Sequence, residues 1–381
     1  MAAGAHLDEV YPIMSFQPVR GDGVWLEDAS GRRVLDLYGG HAVAALGYGH
    51  PRLVEAVARQ TETMVFQSNA AKLPVRDRAA DKLADFAGCG LERVFFVNSG
   101  AEANENALRL AFKVTGRTRI VAIEHGFHGR TAAAAAASYG SSKGWYGFPM
   151  LPFDVSFVAR DDVDAMLDAV GDDTAAVIVE PVQGLAGAYD LSPEFLRAAR
   201  KATRDAGALL IMDEVQTGMG RLGAPFGATL HGIEPDLLTT AKGLAGGIPA
   251  GAVLMRPEIA SELRGGDLGT TFGGGPVAAA AIEAVIDTIL GESLLDNVRQ
   301  VSAQIRAECV GGPIESIHGL GFLLGLRTSQ PAATIRDALL ERNILAGTST
   351  DKHVLRLLPP LTLSGEHAAR LASVLGEIDD A

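Results

Sequence analysis

The chain is short of several things, and each shortage narrows what it can be. Cysteine occurs twice in 381 residues, at Cys89 and Cys309, too seldom for a disulfide framework. A reducing compartment and a buried structural role for both thiols are therefore expected. Basic charge is outweighed: 33 Lys plus Arg against 46 Asp plus Glu leave a net charge of −13, which argues against a general nucleic-acid binder or an adherent of anionic membranes. If the substrate is anionic, local arginines must receive it. No apolar run approaches the length of a membrane span, and the opening MAAGAHLDEVYP lacks a basic region followed by an apolar stretch, so a cytoplasmic protein is expected. No repeat of solenoid period is present, and the alanine runs 132–137 and 278–281 read as close packing beside Gly-rich sequence.

What is present suits a well-cored protein: 48% hydrophobic and 21% charged residues. Short apolar runs at 93–97, 119–123, 175–179, 208–212 and 251–255 read as strands, with helix-length segments such as 101–114 and 193–206 between some of them. Strand, helix, strand in that order predicts right-handed crossovers and a mostly parallel α/β sheet, with ligand chemistry gathered where strands end. Residues 21–37 alternate around Asp28-Ala29-Ser30-Gly31 and read as a β-hairpin. After the Gly-rich stretch 265–275, one long helical pattern runs from Val277 to about Ala307. The division expected is an N-terminal segment, 1–50, that joins the small domain, a large domain over 51–285, and a C-terminal small domain of α+β type over 286–381.

Three segments carry chemistry. Val94 to Asn104 reads as a buried strand, a small-residue turn and a helix. Such a turn aims free N–H groups at an anion such as phosphate, although Ser99 as a plain N-cap would look the same. In Leu209-Leu210-Ile211-Met212-Asp213-Glu214-Val215-Gln216 an apolar strand ends in acids. Strand alternation sends Asp213 and Val215 to one face and Glu214 to the other. A carboxylate aimed at a pyridine nitrogen keeps it protonated and makes the ring an electron sink; the plainer reading is an acidic strand end in solvent. Lys242 stands alone in a Gly-rich loop after an uncharged approach, 29 residues past Asp213, where desolvation would free its amine for Schiff-base chemistry.

With these in place, the ordered set VFFVNSGAEANENALRLA, HGFHGRT, VEPVQG, DEVQTGMGR, AKGLAGGIPAGA and TTFGGGP resembles the class III aminotransferases, most of all their acetylornithine/succinylornithine and ornithine branch. The match runs from about Tyr11 to Leu363. The resemblance implies a pyridoxal 5'-phosphate enzyme of fold type I, a homodimer or larger. It implies Lys242 as the Schiff-base lysine, Asp213 at the pyridine nitrogen and Gln216 near the phenolic oxygen. Phe127 and Val215 would stack on the two ring faces, Ser99, Gly100 and Ala101 would hold the phosphate, and Thr271 would reach the phosphate of the partner subunit. Arg130 and Arg356 match positions that bind substrate carboxylates, a task suited to the bidentate guanidinium. The implied reaction moves the ω-amino group of N-acetylornithine, or a related N-acylated donor, to 2-oxoglutarate in arginine or related biosynthesis. The alternatives are a donor of another ω-amino type, or an aminomutase resembling glutamate-1-semialdehyde aminomutase, which needs no 2-oxo acid.

Two features are set aside and two stand out. Gly218 to Gly223 spells GxGxxG, but polar residues part it from its strand and Ala224-Pro225 follows in place of a helix, so a dinucleotide fold is not expected. His125 and His128 have no accompanying cluster of ligand spacing and read as loop histidines that shape the site, so no metal is expected. Where the family usually carries an acid that pairs with the arginine matching Arg356, this chain has Leu185; where Asn usually follows Gly-Gly, it has Gly275. Both departures bear on substrate choice and not on the cofactor.

Overall fold

The computed structural model describes residues 13–378 and, ahead of them, residues 6, 8 and 10. The opening stretch read as free of a leader, and Tyr11 where the resemblance begins, thus lie largely outside the described residues. At the centre is a seven-stranded sheet in the order Arg93–Val97, Gly251–Met255, Leu237–Thr240, Leu209–Asp213, Thr174–Val179, Arg119–Ile123, Asp154–Val158. Only Gly251–Met255 runs against its neighbours; the rest are parallel, as the alternating strands and helices predict.

The strands are apolar on both faces because both faces are covered. Ile120, Ala122, Ala176, Ile178 and Ile211 pack with Ala103, Ala107 and Leu108 of the helix Gly100–Thr115. Val121, Ile123, Val177, Val179 and Met212 turn the other way, into the core that includes Phe195 and Leu196 of the helix Pro193–Ala206. That helix starts where Ser192 accepts the N–H of Phe195 with Pro193 at its first turn, and stops at the left-handed Gly207.

The predicted hairpin forms between Trp25–Asp28 and Arg33–Asp36, its turn held by Asp28, whose Oδ1 accepts the N–H groups of Ser30 and Arg32. Pro18–Asp22 pairs antiparallel with Trp25–Asp28 on the outer side, and a fourth strand joins this N-terminal sheet in parallel from far along the chain, Ile344–Leu345. The C-terminal residues build a second four-stranded sheet from Ile314–Leu320, Leu323–Thr328, Val354–Leu357 and Gly347–Thr348.

Three expectations need adjusting. The helical pattern read as continuous from Val277 is two helices, Pro276–Gly291 and Leu294–Glu308. Ser293 stands between them at φ 52, a left-handed backbone that ends one helix before the next begins. The strand read at 208–212 is shifted by one residue to Leu209–Asp213, which brings Asp213 onto the sheet. Cys309 is buried, but Cys89 is only half-buried.

Candidate active site

The strand end at Asp213 does not face solvent. Asp213 is 3% exposed and Glu214 is fully buried, and alternation parts them. Glu214 accepts the hydroxyl of Thr217 at 2.5 Å and the N–H groups of Gly227 and Ala228 at 2.8 and 2.6 Å, so it pins the following loop. Asp213 faces the Gly100–Thr115 helix. Its Oδ2 accepts from Nδ2 of Asn104 and from Nδ1 of His128, both at 2.7 Å, and its Oδ1 accepts the N–H of Val215 at 3.1 Å. Asn104 is fixed in turn: its Oδ1 accepts the hydroxyl of Thr239 at 2.6 Å and its Nδ2 also donates to the carbonyl of His128.

At the start of the same helix Ser99 is the N-cap, accepting the N–H of Glu102 at 3.1 Å, while Glu102 reaches back to the N–H of Asn98 at 2.8 Å. The cap leaves Gly100 and Ala101 with the first N–H groups of the helix, which no helical carbonyl can receive, at the positive end of the dipole. Val215 packs directly on this turn, and a Cβ on Gly100 would lie 2.6 Å from its Cγ1. The N-cap and the anion-receiving turn are therefore compatible readings of one structure.

Lys242 sits just past the strand Leu237–Thr240 at φ 44, a left-handed conformation uncommon for a residue with a side chain and characteristic of functional sites. Burial pushes its amine down to about 8, with Asp213 and Glu180 pulling the other way. Glu180, at the end of the strand Thr174–Val179, accepts the N–H of Phe127 at 2.8 Å, and burial pushes its carboxyl up to about 7. An amine that is part-neutral near physiological pH is a competent nucleophile and proton carrier.

Arg356 is 3% exposed and forms no ion pair among the described residues. Its Nε donates to the carbonyl of Thr348 at 2.7 Å and one terminal nitrogen to that of Gly184 at 3.0 Å; the other lies 3.5 Å from the Tyr38 hydroxyl. Burial lowers its proton affinity. Leu185, beside Gly184, is half-buried and adds no acid. The Gln216 side chain occupies the space where a Gly184 Cβ would stand, so that glycine is required by close approach. Arg130 is exposed and lies over the rings of Phe127 and Trp145 at 5.3 and 5.7 Å from their centroids, with its charge free of any ion pair among the described residues. Thr271 is exposed in the Gly-rich stretch, away from these groups' hydrogen bonds.

Sequence reasoning missed several neighbours. Residues 39–42 form a left-handed turn, with φ of 56, 56, 65 and 67. Asp36 holds it by accepting the N–H groups of Tyr38 and Gly39 at 2.8 and 2.9 Å. The turn presents His41, whose Nδ1 lies 2.7 Å from the Tyr38 hydroxyl. Burial and the charges of Arg356, Lys242 and Arg130 lower the proton affinity of His41, so the imidazole stands among the site's cations. The Gly39-Gly40 pair ahead of a histidine was the available signal. His125 and His128 diverge: His125 makes a tilted ring contact with Tyr139 at 4.9 Å, and His128 turns inward to Asp213. The GxGxxG run is a loop of turns in which Arg221 is buried and donates to the carbonyl of Pro359.

The donor set fits pyridoxal phosphate: a buried lysine with a lowered proton affinity, a buried carboxylate oriented by three donors, and a capped helix start beside a valine that packs on glycine. Comparison with known proteins agrees. The profile of the family Aminotransferase class-III matches residues 7–378. The chain is 44% identical over 371 residues to acetylornithine aminotransferase of Streptomyces coelicolor, covering 95% of this chain and 91% of that one. It is 37% identical over 384 residues to acetylornithine aminotransferase of Methanocaldococcus jannaschii, covering 97% and 95%. Among solved structures, ornithine aminotransferase from Toxoplasma gondii superposes with a TM-score of 0.91 at 28% identity, covering 98% of this chain and 93% of that one.

Proposed function

Because the chain belongs to the class III aminotransferases, a family of pyridoxal-phosphate transaminases, we propose that it moves the ω-amino group of N-acetylornithine, or of a close N-acylated relative, to 2-oxoglutarate, in arginine or related biosynthesis. The observation that carries this reading is a pocket with two arginines, Arg356 and Arg130, free of acidic partners among the described residues, beside a buried lysine of lowered proton affinity. Both proposed substrates bring carboxylates. The names of the similar proteins point to the same donor.

Bound pyridoxal phosphate supplies an electron sink for the charge that develops at the substrate carbon. The chain does the rest. Lys242 would hold the cofactor through its Nζ, and its amine would serve as the proton carrier at the donor carbon. Asp213, held by Asn104 and His128, would keep the ring nitrogen protonated, and Gln216 would serve the phenolic oxygen. Phe127 and Val215 would flank the ring, while Ser99, Gly100 and Ala101 would receive the phosphate on backbone donors. Arg356 takes a carboxylate of donor or acceptor with two parallel hydrogen bonds, and Arg130 takes a second one.

The proposal includes a homodimer in which Thr271 completes the phosphate site of the neighbouring subunit. Phe272 and Phe66, 65% and 41% exposed and in tilted ring contact at 5.3 Å, lie beside Thr271 and offer an apolar face for that contact. It retains the division into 1–50, 51–285 and 286–381, supported by the strand that residues 344–345 lend the N-terminal sheet. It also keeps a cytoplasmic location, consistent with two unpaired cysteines; among the described residues no helix is long and apolar enough to cross a membrane.

A donor panel with 2-oxoglutarate, followed by glutamate formation, tests the reaction. N-acetylornithine or its N-acyl analogues should give the fastest glutamate release. Turnover without any 2-oxo acid would point to an aminomutase, and a preference for simple diamines would overturn the donor. A fully active monomer, or unchanged cofactor affinity in Thr271→Ala where a loss of about 1.5–3 kcal/mol is expected, would remove the shared site.

A further inference from the structure

Behind Asp213 lies a layer of buried polar groups that the reaction above does not call on. His128 is 3% exposed, its backbone N–H donates to Ser138 Oγ at 2.8 Å, and its Nδ1 meets Asp213 at 2.7 Å. The other ring nitrogen, Nε2, is buried with no hydrogen-bond partner. A buried nitrogen of that kind calls for an explanation. Glu180 is near but makes neither a hydrogen bond nor an ion pair with it: the point where a Gly126 Cβ would stand is 3.3 Å from His128 Nε2 and 3.7 Å from Glu180 Oε1. Glycine at 126 keeps that space open.

The charges fall in a row. Asp213 and Glu180 are the charged groups acting on His128, and Lys242 is among those acting on Glu180. If His128 were neutral, the buried carboxylate of Asp213 would have no cation at its back, a costly arrangement in a dry interior. Burial opposes charge on His128, but the hydrogen bond and charge of Asp213 more than offset it and raise its proton affinity.

We propose that His128 is a positioning residue that stands as an imidazolium on Asp213, with Glu180 close by to favour its charge, and so fixes Asp213 at the ring-nitrogen end of the pocket. The inference rests on the assignment of Asp213 to the ring nitrogen.

Full-length protein loaded with cofactor and carrying imidazole-labelled histidine allows His128 to be followed by NMR as pH is varied, with His128→Gln giving the assignment. In the wild type the ring should be doubly protonated at neutral pH, and Glu180→Gln should lower its titration midpoint by about one unit or more. A neutral His128 ring near pH 7, or an unmoved midpoint in Glu180→Gln, overturns the proposal. If His128→Gln fails to fold, Gly126→Ala supplies the assignment, because its methyl group enters beside Nε2. The pH midpoint of the cofactor's visible band is a second readout: Glu180→Gln should shift it, whereas a merely structural Glu180 would lower cofactor content and leave the midpoint in place. Borohydride reduction that labels a lysine other than Lys242 would instead sink the functional reading, so the two failures are distinct.

Discussion

At one end of the pocket Asp213 is held by Asn104, His128 and the N–H of Val215, and Asn104 is itself fixed by Thr239; at the other end Arg356 rests on two carbonyls and a tyrosine hydroxyl at 3.5 Å, with no acid opposite. The first arrangement fixes one carboxylate in one orientation. The second holds a cation whose best partner arrives from outside. A cofactor that stays calls for the former and substrates that alternate call for the latter, because rigid, satisfied networks preorganise while an unpaired guanidinium recognises.

Lys242, which stands between the two ends, offers the largest test. Lys242→Ala should abolish both the visible absorbance of bound cofactor and turnover, and peptide mapping after borohydride reduction should place the pyridoxyl group on Lys242 in the wild type. A label on Lys201 or Lys113 would collapse the whole comparison.

Next in size, Arg356→Lys keeps the charge but loses the two-pronged grip. A loss of about 1.5–3 kcal/mol is expected for a hydrogen bond to a charged group, which is a ~10–150-fold fall in kcat/KM with little change in cofactor affinity. If cofactor affinity fell as far as kcat/KM, the two ends would not be separable.

A third test uses pH on the cofactor-free protein. Lys242 loses its proton near 8 when folded, against an ordinary 10.5, so between these values the unfolded chain binds more protons and stability rises with pH. Against a Lys242→Met variant, the wild type should therefore show its full deficit in melting temperature below about 8, a shrinking one above, and none beyond about 10.5. A deficit that does not change with pH would mean that the lysine is not desolvated.

The smallest effect expected is at Leu185. Leu185→Glu places an acid beside the Gly184 carbonyl that Arg356 already uses. It should shift the ratio of single-turnover rates toward the ω-amine donor and away from glutamate by on the order of 1 kcal/mol, since the attraction of a buried pair is largely offset by desolvation. Equal ratios in wild type and variant would show that Leu185 does not govern the choice.

The cofactor end was the more legible in the sequence because its parts are local: a strand, a cap and a turn each fit within a dozen residues, and three strands, at 93–97, 119–123 and 251–255, stand at their predicted residues. The substrate end is assembled from distant pieces. Tyr38 and His41 meet Arg356 only through the fold, and periodicity cannot announce a left-handed turn. Asn104 lay inside a motif, but its burial against Asp213 depends on how the helix crosses the sheet. Glu180 and His128 were likewise visible as residues and silent as partners. The break at Ser293 escaped notice because its flanks continue the same apolar pattern.

The strand lent by Ile344 and Leu345 has a bearing on how the molecule comes into being. Leu35 and Asp36 pair with those residues, and Arg32 bonds to Asn343, 311 positions away. On a ribosome adding about 5–20 residues per second, the N-terminal strands would emerge roughly 15–60 s before their partner exists. During that interval their outer edge stays open, a template for unwanted pairing. Asp36, the clamp of the His41 turn, belongs to that waiting strand, so the substrate end of the pocket should be the last part of the enzyme to take shape, and a chain cut short before residue 344 should bind cofactor better than it turns over substrate.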